Sequence, residues 1–194
     1  MCLRKRRHEL PGWPKTFVML GRRKPGHVWL SPRKLEALYP HAEAYFDSLL
    51  YGLPHLLAAG PWDDLAVVEG EKDADNLTAA GLPALSHWQG GTGWTREQAA
   101  RWSGFRGGVI LVADRDAAGA RCALQTRSLL LGAGVIASRL RVVLPVTGKD
   151  ASDHLAAGHD PVDFVPADLD SLAVLAATAP PPGRGGAYRA GRAL

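Results

Sequence analysis

Leu65-Ala66-Val67-Val68-Glu69-Gly70-Glu71-Lys72-Asp73 and, further along, Val109-Ile110-Leu111-Val112-Ala113-Asp114-Arg115-Asp116-Ala117-Ala118-Gly119 decide the fold. Each opens as a short apolar run and ends directly in carboxylates. A run of this length without polar alternation is what a strand buried on both faces requires, as in a parallel sheet covered by helices. The intervening pattern agrees. Residues 72–80 read as a helix with Gly81 as its stop, and residues 83–87 as a second strand. A Gly-rich loop, Gln89-Gly90-Gly91-Thr92-Gly93, follows, and Thr95-Arg96-Glu97-Gln98 has the form of a capping box that opens a helix to about Trp102. Residues 107–113 form the third strand, 118–131 a long helix, 137–144 a fourth strand and 152–157 a short helix before Gly158. The βαβαβαβ order predicts an α/β domain with a mainly parallel four-stranded sheet flanked by helices.

Working outward, the chain of 194 residues is long enough for one domain with short extensions. Its 46% hydrophobic content excludes wholesale disorder, and no apolar run approaches the roughly 20 residues that span a bilayer. Two cysteines, Cys2 and Cys122, build neither a disulfide framework nor a four-cysteine zinc site, so no zinc and a cytoplasmic location are expected. Charge divides the chain sharply. Residues 1–34 hold ten Lys/Arg against one acid, residues 35–170 ten against eighteen, and residues 171–194 three against none. The expected organisation is a basic flexible arm over residues 1–13, carrying Arg4, Lys5, Arg6 and Arg7. An extension of short strands and helices follows over 14–60, then the α/β domain over 61–170 and a largely disordered Pro/Gly/Arg-rich tail over 171–194. Within the extension, residues 16–20 and 27–30 read as short strands and 33–59 as helix-rich. A basic arm ahead of an acidic core suits a metal-binding nucleic-acid enzyme, and equally a solvated terminus.

Three acidic clusters carry the chemistry. Glu69 to Asp73 follow the first strand, Asp114 to Asp116 the third, and Gly148-Lys149-Asp150-Ala151-Ser152-Asp153 comes just after the fourth. The carboxyl ends of parallel strands share one edge, where ligands bind. Glu69, Asp114, Asp116 and at least one of Asp150 and Asp153 should therefore converge. Oxygen-only donors suit a hard divalent ion, magnesium or manganese. Taken singly, Asp73 or Asp153 fits a helix cap better than a ligand. Lys72, Arg115 and Lys149, each next to an acid, are either phosphate clamps or local ion-pair partners. Trp88 and Trp94 flank the Gly-rich loop and are either base-stacking platforms or core, whereas Trp29 and Trp102 read as core.

The combination Glu69-Gly70-x-x-Asp73, Asp114-x-Asp116-x-x-Gly119 and Lys149-Asp150-x-x-Asp153 resembles the Toprim domain, a Rossmann-like fold of DnaG-type primases, topoisomerases, OLD-family nucleases and RecR. The surroundings resemble the primase-like Toprim proteins of phages and plasmids, over roughly residues 48–165 and more weakly 14–47. That resemblance implies roles. Glu69 would be the general acid or base, and Asp114 and Asp116 would hold magnesium or manganese together with Glu69. Asp150 and Asp153 would take a second ion, and Gly70 would admit phosphate close to the backbone. It also implies DNA as partner, single-stranded above all, and nucleoside triphosphates for a primase-like nucleotidyltransferase in replication of a phage, plasmid or other mobile element. A separate helicase or zinc-binding primase module is a further expected partner, because two cysteines build no zinc ribbon and Gly148-Lys149-Asp150 is not a Walker A loop. A metal-dependent DNA nuclease and a non-catalytic DNA-binding module are the alternatives.

Overall fold

The computed structural model describes residues 2–8, 16–22, 30, 34, 37–38, 49–87 and 94–179. The chain divides into two compact units, Met1–Ser48 and Leu49–Leu194.

In the first unit, β1 (Cys2–His8) pairs antiparallel with β2 (Thr16–Arg22), from Cys2 opposite Arg22 to His8 opposite Thr16. One expectation is corrected by this hairpin: the basic segment Arg4–Arg7 is a strand rather than a flexible arm. The 16–20 strand is present and extends to Arg22. The proposed strand at 27–30 falls, apart from Leu30, outside the described residues, as does most of 33–48.

The second unit is a six-stranded sheet in the order β3 (Leu50–Tyr51), β5 (Ala84–His87), β4 (Asp64–Val68), β6 (Gly108–Val112), β7 (Leu140–Leu144), β8 (Val165–Pro166). The four central strands are parallel; the two-residue strands at either edge are antiparallel. The expected parallel four-stranded sheet is thus present, with two short edges added. Such edges are too short to show a period in sequence, and they cover the backbone groups that an open sheet leaves unpaired.

Side chains alternate across the sheet, and both faces are buried. Leu65, Val67, Leu85, Val109, Leu111 and Val142 join one cluster with Trp94, Trp102, Ala120 and Leu130. Ala66, Val68, Ala84, Ile110, Val112 and Val143 join the other, with Ala74, Leu77 and Phe164. Helices α2 (Glu71–Ala79), α4 (Ala117–Gly132) and α5 (Ala151–Ala156) connect or follow the strands. Helix α3 (Arg96–Ala100) opens with the capping box anticipated at Thr95, whose hydroxyl accepts from the Gln98 N–H at 3.1 Å. Trp94 resolves to core. It is 3% exposed and its ring lies 5.9 Å from that of Trp102, which in turn meets Phe105 edge-on. Trp13, Trp29 and Trp88 and the Gly90–Gly93 loop lie outside the described residues.

Two boundaries move. Residues 49–60 belong with the sheet: β3 pairs with β5, the short helix α1 (Leu53–Ala58) buries Leu56, and Gln98 donates to the Leu49 carbonyl at 2.8 Å. At the other end, part of the anticipated tail is helix α6 (Leu169–Ala177). Asp168 caps it by accepting from Ser171, and Leu172 enters the core cluster. The fourth strand is shorter than expected, since Ala137–Arg139 is a 3-10 turn leading into β7.

Candidate functional site

Strands β4 and β6 are hydrogen-bonded neighbours, with Val67 opposite Leu111. Glu69 follows the last residue of β4, and Asp114 lies two residues past the end of β6. The sheet therefore brings the first two acidic clusters to one edge, and the β7–α5 loop brings the third beside them.

Asp114 is well enclosed, its side chain only 13% exposed against 40% for Asp116. Burial pushes its carboxyl up to about 7, reinforced by the charges of Glu69, Asp73 and Asp150 and opposed by Lys149. Three carboxylates are therefore within electrostatic reach of Asp114. Asp116 lies in the opposite condition. It is the N-cap of α4, accepting from the Gly119 N–H at 2.7 Å, and this bond together with Lys149 holds its carboxyl below the usual range. The Lys149 ammonium stands 2.9 Å from Asp116 Oδ2 and 3.7 Å from Asp114 Oδ2. It is held above its ordinary value, chiefly by the bond to Asp116.

Gly119 is what lets α4 begin this close to Asp114. A Cβ built there would stand 2.4 Å from Asp114 Cβ and 2.8 Å from its carbonyl oxygen. Neither atom can yield without moving the strand end. Gly119→Ala is expected to destabilise the protein by about 1–3 kcal/mol, the usual cost of overpacking. Urea unfolding of the variant checks this, and a midpoint equal to the wild type would mean that the helix start adjusts freely.

The remaining anticipated residues divide by task. Gly70 is the N-cap of α2, in extended backbone, and a Cβ there would meet Asp73 Oδ2 at 2.8 Å. Lys72 is exposed on the first turn of α2 and lowers the carboxyl of Asp73 by its charge. Arg115 commits its Nε to the Pro145 carbonyl at 2.7 Å, and its backbone N–H donates to the Lys149 carbonyl at 2.8 Å. Asp150 caps α5, accepting from the Asp153 N–H at 2.8 Å. Asp153 folds back to accept from the Lys149 N–H at 2.8 Å, serving the turn rather than the Asp114 cluster.

Asp73 is a tie between helices. Burial raises its carboxyl, against the lowering bonds from Ser152, whose backbone N–H donates to Asp73 Oδ1 at 3.0 Å and whose hydroxyl donates to the same oxygen. Asn76 in turn donates to Ser152 Oγ at 2.9 Å. Ser152 and Asn76 were not among the anticipated residues. Their sequence signal is weak: a serine in the first turn of a helix ordinarily caps its own backbone.

Among the described residues, no three His, Cys, Asp or Glu side chains are gathered closely enough to hold one metal ion as they stand. The donor chemistry nevertheless fits a hard cation. The set is all oxygen, and a cation, the Lys149 ammonium, already sits between Asp114 and Asp116.

No protein-family model and no curated protein matches the chain's sequence. Solved structures do match. One is described as the DnaG catalytic core, with a TM-score of 0.51 and 22% identity over 81% of this chain and 50% of that one. The fold is that of the DnaG catalytic core. A second is the DnaG primase catalytic domain bound to single-stranded DNA, with a TM-score of 0.51 and 22% identity over 80% of this chain and 50% of that one. The chain thus spans about half the length of the DnaG chains it matches. In a DnaG-like fold the edge bearing Glu69 and Asp114 is the carboxyl edge of the parallel strands, where an α/β sheet places its ligand site. Among the described residues, no helix is long and apolar enough to cross a membrane.

Proposed function

We propose that this chain is a Toprim core of a primase-like nucleotidyltransferase, joining nucleoside triphosphates on a single-stranded DNA template in replication of a phage, plasmid or other mobile element. The observation that carries the proposal is the placement of Glu69 and the Asp114–Asp116 pair at adjacent strand ends of a DnaG-like sheet. That one of the similar DnaG structures is bound to single-stranded DNA favours the same partner here.

Glu69, Asp114 and Asp116 would hold magnesium or manganese, which when bound neutralises charge on phosphoryl oxygens. Asp114 and Asp116 fix the ligand edge from either side of the β6–α4 turn. Glu69, with one more methylene, would reach further from its strand end and would take the proton of an attacking hydroxyl. Asp73, tied by Ser152, holds the start of α2 to the start of α5, and so sets where the Glu69 turn stands relative to Lys149 and Asp150.

The test incubates the protein with labelled single- and double-stranded DNA and magnesium or manganese, with and without nucleoside triphosphates. Triphosphate-dependent extension is the expected result. Cleavage without triphosphates would replace the proposal by a nuclease, and retention alone by a binding module.

The basic strand β1 enters through DNA binding. Replacing Arg4, Lys5, Arg6 and Arg7 by glutamine is expected to flatten the salt dependence of single-stranded DNA binding, by about 0.7 in the log–log slope for each side chain that neutralises a phosphate. Substitution keeps β1 in place as the partner of β2, which deletion of residues 1–13 would remove. An unchanged slope would assign these four charges to solvent.

A further inference from the structure

We propose that Lys149 is a built-in counter-cation of the ligand site: its ammonium holds the place between Asp114 and Asp116, and a divalent ion enters by displacing it. This rests on the metal reading above and adds what that reading lacks, a determinant of how tightly the ion binds.

The position of the ammonium is constructed by the turn beneath it. The Lys149 N–H is held by Asp153 Oδ2 at 2.8 Å, and the Lys149 carbonyl accepts from the Arg115 N–H at 2.8 Å. The residue before it, Gly148, has φ +76°, and a Cβ there would lie 2.2 Å from Asp153 Cβ. Backbone conformation, close packing and two hydrogen bonds therefore set the direction from which the side chain leaves. The side chain then reaches both carboxylates, at 2.9 and 3.7 Å. The charges acting on Asp114 are Glu69, Asp73 and Asp150 on the negative side and Lys149 on the positive side.

The tether is strong and the contact is weak. The Lys149 side chain is 56% exposed, and an ion pair that wet contributes about 0–1 kcal/mol. Swinging the ammonium into solvent costs little, and the turn stays behind. A divalent ion brings twice the charge to the same oxygens. The lysine thus keeps the like charges from facing one another unrelieved before the ion arrives, and lowers the affinity for the ion by the strength of its own contact.

The test is manganese titration calorimetry on the wild type, Lys149→Met and Lys149→Arg, with thermal melting of each protein with and without manganese. Lys149→Met keeps the length of the stem and removes the charge. It is expected to bind manganese about three- to fivefold more tightly than the wild type, the equivalent of a surface ion pair removed from the competition, and to show the larger manganese-induced rise in melting temperature. Lys149→Arg, which keeps the charge, is expected to stay near the wild type. Equal or weaker affinity in Lys149→Met overturns the displacement and leaves the metal reading standing. Manganese binding by none of the three proteins overturns the metal reading, and the displacement with it.

Discussion

Glu69→Gln is expected to lower the rate of triphosphate-dependent extension by about a hundred- to ten-thousandfold, the usual contribution of general acid–base catalysis. Glutamine preserves the size and the hydrogen-bonding reach of the side chain but accepts no proton. The residue follows β4, whose last four residues are buried, so the backbone from which it projects is rigid. Gly70 then caps α2, and the chain turns away immediately. Affinity for single-stranded DNA should change little and in the upward direction, because one negative charge near phosphate is gone. Extension rate and DNA affinity are measured on the same preparations. A wild-type rate combined with weakened DNA binding would make Glu69 a helix-start residue with no part in proton transfer.

What could be read from sequence follows the physics of each element. Val67–Val68 and Val109–Val112 announce central strands because both faces of the sheet are covered, which turns the pattern into unbroken apolar runs. Thr95 and Gln98 announce their helix because a capping box is local chemistry. Convergence of Glu69 and Asp114 on one edge follows once the strands are parallel. The misses have equally physical causes. In β1 the run Arg4-Lys5-Arg6-Arg7 is charged at every position, so no alternation marks a strand. Edges β3 and β8 are two residues long and exist through their neighbours. Helix α6 was hidden in the Pro/Gly/Arg-rich tail because it depends on a cap at Asp168 and on α4 to pack against. The tie between Asp73 and Ser152 crosses 79 residues of sequence, and no spacing rule reaches that far.

Asp114→Asn is expected to make the metal-free protein more stable and the site inert. The folded protein raises the Asp114 carboxyl from the ordinary 3.8 to about 7, chiefly through burial. A carboxyl raised on folding is easier to keep protonated in the folded state than in the unfolded chain. Below about pH 4 it is neutral in both states and costs nothing. As pH rises from there to about 7, the unfolded chain ionises freely and the folded protein does not, so stability falls; above about 7 the loss is complete and constant. Asparagine never ionises, so its variant escapes that loss. At about pH 8 it should exceed the wild type by about 4 kcal/mol, the rise from 3.8 to about 7 being about three pKa units at about 1.4 kcal/mol each. Near pH 4 the two should converge. Urea unfolding across this range checks the sign, and parallel profiles would return Asp114 to the ordinary carboxylate range. In manganese titrations the same variant should lose most of the binding, because an enclosed oxygen donor next to the strand end has lost its charge. Unchanged manganese affinity would remove Asp114 from the ligands while leaving the pH result intact. The two measurements together distinguish a carboxylate that is merely buried from one held at a cost to folding because the site needs its charge.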